Sequence, residues 1–150
     1  MTAEITGSID PTREQFKAFI QNAPQDMPIH MLNLIRLRKD AAYPPDHPDH
    51  GKGLSGLDAY RAYGRHSAEV FARVGGHQVW VGKPEAVLTG PLDEHWDLAF
   101  IAAYPNALAF VEMIRDPGYQ QHVKHRQAAV EDSRLIRFLP LDPGEGFGEG

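Results

Sequence analysis

The chain has 150 residues, with 15 Lys and Arg against 20 Asp and Glu, and a formal net charge of −5. A chain of this length forms one domain and can bury about 68–70% of its unfolded surface. It contains no cysteine, which excludes disulfides, thiolate metal sites and cysteine nucleophiles, and it lacks the basic stripe of a nucleic-acid-binding protein.

Neither a membrane helix nor a secretion signal is predicted. No stretch approaches the roughly 20 apolar residues that cross a bilayer. The first residues, Met1 to Ile5, lack the basic and apolar regions of a signal peptide. We therefore expect a cytoplasmic protein with no membrane partner and no nucleic-acid partner.

The first third of the chain predicts a short helix, a strand and a long loop. Asp10, followed by a proline and an acidic residue, predicts a helix over 10–22 with Asp10 as its cap. Residues 27–38 are typical of a strand that is apolar on both faces, which indicates that both faces are covered. Residues 39–55 contain three prolines and two glycines and predict a loop of unusual length.

The rest of the chain predicts the other elements of the core. A helix with one apolar stripe ends at Gly75-Gly76, and Trp80 and Trp96 are expected to pack within the sheet. The glycine-rich tail over 142–150 is expected to be disordered. The predicted elements are a helix over 56–74, a strand over 77–89 interrupted at 82–84, a strand over 96–104, helices over 106–115 and 118–130, and a strand over 134–139.

The order of these elements predicts one α+β domain with a ferredoxin-like βαββαβ core over about residues 27–140, preceded by an extra helix. Two right-handed βαβ halves give a four-stranded antiparallel sheet with helices on one face. Since the strand over 27–38 is apolar on both faces, the second sheet face also needs cover. A second copy of the chain is the simplest cover, so we expect a homodimer.

Five short segments carry a family resemblance through their order and spacing. They are Tyr60-x-x-Tyr63, Val74-Gly75-Gly76-His77-Gln78-Val79, the run from Trp96 to Pro105, Asp116-Pro117-Gly118-Tyr119-Gln120 and Arg126-Gln127-Ala128-Ala129. Over about residues 28–140 the chain resembles the domain of unknown function 1330 family. The resemblance implies a dimeric α/β barrel built from ferredoxin-like subunits. It implies no single activity, because the superfamily includes cofactor-free monooxygenases, lactone isomerases and haem enzymes.

Six polar residues are candidates to line a ligand cleft between the helices and the sheet. Asn33 lies within an aliphatic strand, where an amide needs partners, so it holds either a ligand or a neighbouring backbone group. The others lie on or beside the inward faces of two helices. The ligand-binding candidates are Asn33, Tyr60, Tyr63, His66, Tyr119 and Arg126.

His66 and Tyr63 are the candidates for catalysis. An imidazole, with a reference pKa near 6.5, can shuttle protons at neutral pH. In the alternative reading the tyrosines are core residues and His66 is half-exposed. Arg126 either binds a carboxylate of a ligand or pairs with a structural acid such as Asp97 or Glu112.

Two groups of histidines have spacings that metal sites use. His122 and His125 lie one helical turn apart, but no third ligand is visible beside them. The repeated Pro-Asp-His of the 39–55 loop offers further donors, although such residues more often form a solvated surface. We therefore predict neither a metal nor a cofactor. The loop donors are Asp46, His47, Asp49 and His50.

Three functions stay open at this point, and the sequence does not decide whether the protein is an enzyme. The first is acid–base or cofactor-free chemistry on a small organic molecule in the helix–sheet cleft. The second is a non-catalytic dimer that binds or senses a ligand. The third is a haem-binding protein that uses His66 or His122 as the axial ligand.

Overall fold

The computed structural model describes residues 7–24 and 26–144. The strands form one antiparallel sheet in the order β2-β3-β1-β4, which confirms the predicted ferredoxin-like fold. None of the described helices is both long and apolar enough to span a bilayer. From residue 145 onward, the predicted tail lies outside the described residues. The helices are α1 Arg13–Asn22, α2 Gly56–Arg73, α3 Ala107–Arg115 and α4 Pro117–Ala129, and the strands are β1 Ile29–Leu37, β2 His77–Gly82, β3 Leu98–Tyr104 and β4 Val130–Phe138.

The helix boundaries follow from local capping signals. The hydroxyl of Ser55 accepts the Asp58 N–H at 3.0 Å and so begins α2. Gly75 follows the end of α2 with a φ of +87°, a left-handed conformation that favours glycine. Asp116 ends α3 and also caps α4, because its side chain accepts the Tyr119 N–H at 3.0 Å.

Two local predictions are wrong. Thr12, rather than Asp10, caps α1, because its hydroxyl accepts the Gln15 N–H at 3.0 Å while the Gln15 side chain accepts the Thr12 N–H at 3.2 Å. These two reciprocal hydrogen bonds form a capping box, which needs both a cap residue and a second side chain three residues later. Residues 85–89 form no strand, since β2 ends two residues before Pro84, which has no N–H to donate to a sheet.

One face of the sheet packs against the helices and forms the core. On β1 the side chains of Ile29, Met31 and Ile35 alternate with those of the opposite face, and they are 3%, 3% and 0% exposed. The core divides into two clusters, one beneath α1 and α3 and one beneath the segment over 39–55.

The opposite face, which we call the open face, carries large apolar side chains that stay accessible. Leu32 on β1 pairs with Ile101 on β3 and with Ile136 on β4, so these three share the face. Trp80 pairs with Ile101 and lies 51% exposed, and Ile136 is 43% exposed. The expectation that Trp80 packs within the sheet is therefore wrong for the single chain. Trp96 lies before β3, with the Arg134 guanidinium 5.2 Å from its ring centroid.

The segment before α1 is fastened to β4 by polar contacts. Asp132 accepts the Ser8 N–H at 2.9 Å, and the Ser133 hydroxyl donates to the Ser8 carbonyl at 2.7 Å. Arg126 is only 8% exposed and donates to the Ile9 carbonyl and, at 3.3 Å, to the Ser133 hydroxyl. The bonds to Ser8 and Ile9 join residues more than 100 positions apart in the chain.

Asp132 makes the stability of this attachment depend on pH. Burial favours its protonated form, but hydrogen bonds from the backbone N–H of Ser8, from Arg134 and from the backbone N–H of Ser133 outweigh burial and lower its pKa. A lowered folded-state pKa stabilises the folded protein above the unfolded value, near pH 4, and the contribution is lost as the pH falls through the folded pKa.

We expect Asp132→Asn to lower the unfolding free energy by about 1 kcal/mol at pH 7, because one charge-assisted acceptor is lost. The difference from the wild type should shrink as the pH falls below 4, because Asp132 takes up a proton first in the unfolded chain and, at lower pH, also in the folded protein. Urea denaturation at pH 7 and pH 3 measures this difference in unfolding free energy, and Asp93→Asn, at an exposed position, is the control. An equal loss of unfolding free energy at both pH values would contradict a lowered pKa of Asp132 in the folded protein.

Candidate functional site

The segment over 39–55 is not the solvated loop that its composition predicts, because it folds back onto α4. Ala42 N–H donates to the Ala128 carbonyl at 2.9 Å, and Ala41 N–H donates to the Leu54 carbonyl at 2.9 Å. Tyr43 is 6% exposed and packs into the second core cluster beside Ile35. A buried tyrosine therefore anchors this segment to the domain.

Hydrogen bonds inside the segment fix the direction of its polar side chains. Asp49 N–H donates to Nδ1 of His47 at 3.0 Å, and Nδ1 of His50 lies 2.8 Å from the Tyr43 carbonyl oxygen. The Lys52 ammonium donates to Oδ1 of Asp49 at 2.8 Å. These contacts hold His47 and Asp49 towards α4, while Oδ2 of Asp49 stays available.

Four imidazoles converge where this segment meets α2 and α4, and we call the place the histidine pocket. The His66 ring from α2 stacks between two rings of α4, with centroid distances of 5.4 Å to His122 and 5.1 Å to His125. His47 meets His125 edge to face at 5.4 Å. The pocket is a cleft open to solvent, with a volume of about 670 Å³. Its other lining residues are Ala42, Pro44, Asp46, Pro48, Asp49, Gln121, Lys124, Gln127 and Ala128.

Tyr43, which lies outside the pocket lining, forms a close hydrogen-bonded pair with His125. The phenol Oη lies 2.6 Å from Nδ1 of His125. Burial and the charge of Asp49 raise the pKa of Tyr43. Burial, followed by the neighbouring imidazoles of His66 and His47, lowers the pKa of His125. The pair is therefore neutral at pH 7 and shares one hydrogen bond.

Three potential metal ligands lie close together beside this pair. One ligand atom each of His47, Asp49 and His125 lies within 4.8 Å of the others. Oδ2 of Asp49 is 3.9 Å from Nδ1 of His125. The sequence shows no third ligand beside the pair of His122 and His125, whereas in the structure the 39–55 segment places two donors beside His125 and His122 is not among them.

The candidates predicted from the sequence fall into separate places. Tyr63 and Tyr119 share a hydrogen bond of 2.8 Å between their hydroxyl oxygens, and the Tyr60 ring lies 5.6 Å from that of Tyr63. Burial raises the pKa of all three phenols. His66 lies apart from them, in the histidine pocket. Ligand binding by this tyrosine cluster stays a prediction.

The two remaining candidates contact the protein itself. Asn33 donates from Nδ2 to the Met31 carbonyl at 3.1 Å, which corresponds to the alternative in which it satisfies a backbone group. Arg126 pairs with an acid of the protein, as its structural alternative predicts, but that acid is Asp10, at 3.9 Å, rather than Asp97 or Glu112. Its hydrogen bonds instead go to the N-terminal segment and to β4.

Comparison with known proteins gives a family and a fold. Residues 55–137 match the profile of the family described as "domain of unknown function (DUF1330)". A methylated RPA0582 protein is similar in structure, with 58% identity, a TM-score of 0.86, and coverage of 93% of this chain and 99% of its own. The RPA0582 protein of unknown function from Rhodopseudomonas palustris has 59% identity, a TM-score of 0.84, and coverage of 92% and 100%.

A more distant structure shares the fold alone. SnoaB, a cofactor-independent oxygenase from Streptomyces nogalater, has 18% identity and a TM-score of 0.50, with 80% of this chain and 99% of that chain covered. No protein of curated function matches the chain significantly. The family match begins at residue 55, so it includes His66, His122 and His125 but neither His47 nor Asp49.

Proposed function

The chain belongs to the DUF1330 family, which is described without a reaction, and we propose that it binds a small organic molecule in its histidine pocket. One observation carries this proposal: four imidazoles from three segments converge on a cavity of about 670 Å³. Pockets for small molecules have roughly this size and bring a few polar groups together from different elements.

The lining of the pocket favours an anionic ligand with a planar part. Imidazole N–H groups and the Lys124 ammonium are donors, whereas the acidic lining residues are Asp46 and Asp49. Asp49 is already neutralised in part by Lys52. The stacked imidazoles offer ring faces to a conjugated group. A conjugated carboxylate combines both properties, although the chain as a whole is acidic.

Acid–base chemistry on such a ligand is the part of the proposal that concerns catalysis. His66 would be the proton shuttle, since it lines the pocket, whereas Tyr63 is hydrogen-bonded within the tyrosine cluster. A non-catalytic sensor would need the same pocket. The haem alternative has less support, because His66 and His122 stack on each other rather than facing an open apolar cavity.

Thermal unfolding with benzoate and phthalate, each against its neutral amide, tests the proposal. At a ligand concentration tenfold above Kd, binding adds about 1.4 kcal/mol of stability, which is a rise in Tm of about 3–6 °C for a chain of this size. We expect the rise with a carboxylate but not with its amide. His66→Ala and Lys124→Ala should reduce it, and the exposed His95→Ala should not. An unchanged response in both pocket variants would refute the proposal.

We also propose that two copies of the chain pair through the open face. Its apolar side chains include Trp80, Ile136 and Phe138, which are 51%, 43% and 46% exposed. Pairing would bury the part of each that is still exposed, which is about half of a side chain whose complete burial contributes about 1.5–3 kcal/mol. Leu88 and Leu92, in the connection between β2 and β3, are also fully exposed in the single chain. A symmetric dimer would remove this face from water.

A further inference from the structure

The arrangement of His47, Asp49 and His125 goes beyond a pocket for organic molecules. Two nitrogen donors and one carboxylate come from two segments about 80 positions apart, and their ligand atoms all lie within 4.8 Å of one another. In a tetrahedral site with bonds near 2.0 Å, neighbouring donors are roughly 3.3 Å apart. The observed 3.9 Å between Asp49 Oδ2 and His125 Nδ1 is therefore close to a ligating separation.

We propose that His47, Asp49 and His125 bind one divalent first-row transition metal ion, such as Zn²⁺ or Co²⁺. Imidazole nitrogens select these ions over Mg²⁺ and Ca²⁺, which prefer sites made wholly of oxygen ligands. Three protein ligands leave a coordination position open, as in catalytic zinc sites. The open position would face the histidine pocket. The inference holds whether or not an organic ligand binds there.

The surroundings of the three side chains resemble the outer shell of a metal site. The Tyr43 ring stacks on the His47 ring, with centroids 4.5 Å apart, and so restricts the orientation of that imidazole. The Lys52 ammonium donates to Oδ1 of Asp49 and so orients the other carboxylate oxygen, Oδ2. Outer-shell contacts of this kind hold ligands in place in known metal sites.

Metal binding has an identifiable cost at this site. Nδ1 of His125 has the Tyr43 phenol as its partner, and Nδ1 of His47 accepts the Asp49 N–H. Coordination must exchange or rearrange these hydrogen bonds. We therefore expect an affinity below that of a structural zinc site, whose binding free energy drives the folding of the domain.

Titration of the tag-free, chelator-treated chain with Co²⁺ tests the proposal. We expect one ion per chain, visible absorption bands of nitrogen- and oxygen-bound Co²⁺, displacement by Zn²⁺, and no response to Mg²⁺. His47→Ala, Asp49→Asn and His125→Ala should each weaken binding by at least about tenfold, since even outer-shell changes cost 10- to 100-fold. The exposed His95→Ala is the control and should bind as the wild type does.

His47→Ala is the decisive variant because it alters a surface segment and leaves the core intact. An unchanged affinity in His47→Ala, a loss in His122→Ala instead, or no bound Co²⁺ in the wild type would each overturn the assignment. Circular dichroism confirms that each variant is folded. The carboxylate assay in the presence of EDTA reports on the proposed small-molecule function separately, so the two failures can be distinguished.

Discussion

Leu32→Lys should abolish the proposed pairing of two chains through the open face. Leu32 lies on the open face between Ile101 and Ile136, at the middle of the sheet. In the single chain the ammonium group can reach water, so the fold should persist. In a symmetric dimer two such groups would be buried without partners, each at a cost of several kcal/mol.

Sedimentation equilibrium measures this effect. The wild type should have twice the 16.7 kDa mass of the chain, and Leu32→Lys should have the single mass at the same concentration. A loss of about 4 kcal/mol corresponds to a 1,000-fold weaker association. Leu57→Lys, at an exposed position on α2, is the control and should remain dimeric. A wild type that is monomeric at high concentration would contradict the pairing of open faces.

Ile35→Ala should cause a large loss of stability in the chain. Ile35 is 0% exposed and packs with Tyr43, Ala59 and Val130 beneath the histidine pocket. Truncation of a buried isoleucine to alanine leaves a cavity and costs about 2–5 kcal/mol. Because Tyr43 rests on this cluster, the variant should also loosen the segment over 39–55.

Urea denaturation at one fixed protein concentration measures this loss, since the proposed dimerisation would make stability depend on concentration. Ile35→Val is the matched variant and should lose only about 0.5–1.5 kcal/mol. A loss in Ile35→Ala no larger than that of Ile35→Val would mean that the site collapses freely and that this cluster is not a tightly packed core.

The order of the elements could be predicted because each one carries local signals. Gly75 ends α2 and Asp116 separates α3 from α4, and both act within a few residues of the chain. The alternation along β1 also predicted the core face and the second apolar face. The predicted cap at Asp10 was wrong because Thr12, two residues further on, caps the helix instead. Which of the two residues caps the helix depends on the hydrogen bonds between Thr12 and Gln15.

The histidine pocket could not be predicted in the same way, because its parts are distant in the chain. The spacing of His122 and His125 provided two donors, but the partners of His125 are His47 and His66, at least 59 positions away. What joins them is the packing of Tyr43 onto the second core cluster. A buried aromatic residue within a proline-rich loop is the one signal that could have indicated that this loop is docked.

Imidazole ¹H–¹⁵N correlation spectra during titration with benzoate test the central claim, that the histidine pocket is the ligand site, most directly. The signals of His47, His66, His122 and His125 should shift together and saturate at one Kd, while those of the exposed His77 and His95 should stay in place. No shift in any of the four pocket imidazoles with either benzoate or phthalate, or shifts of His77 and His95 as large as those of the pocket imidazoles, would contradict the claim.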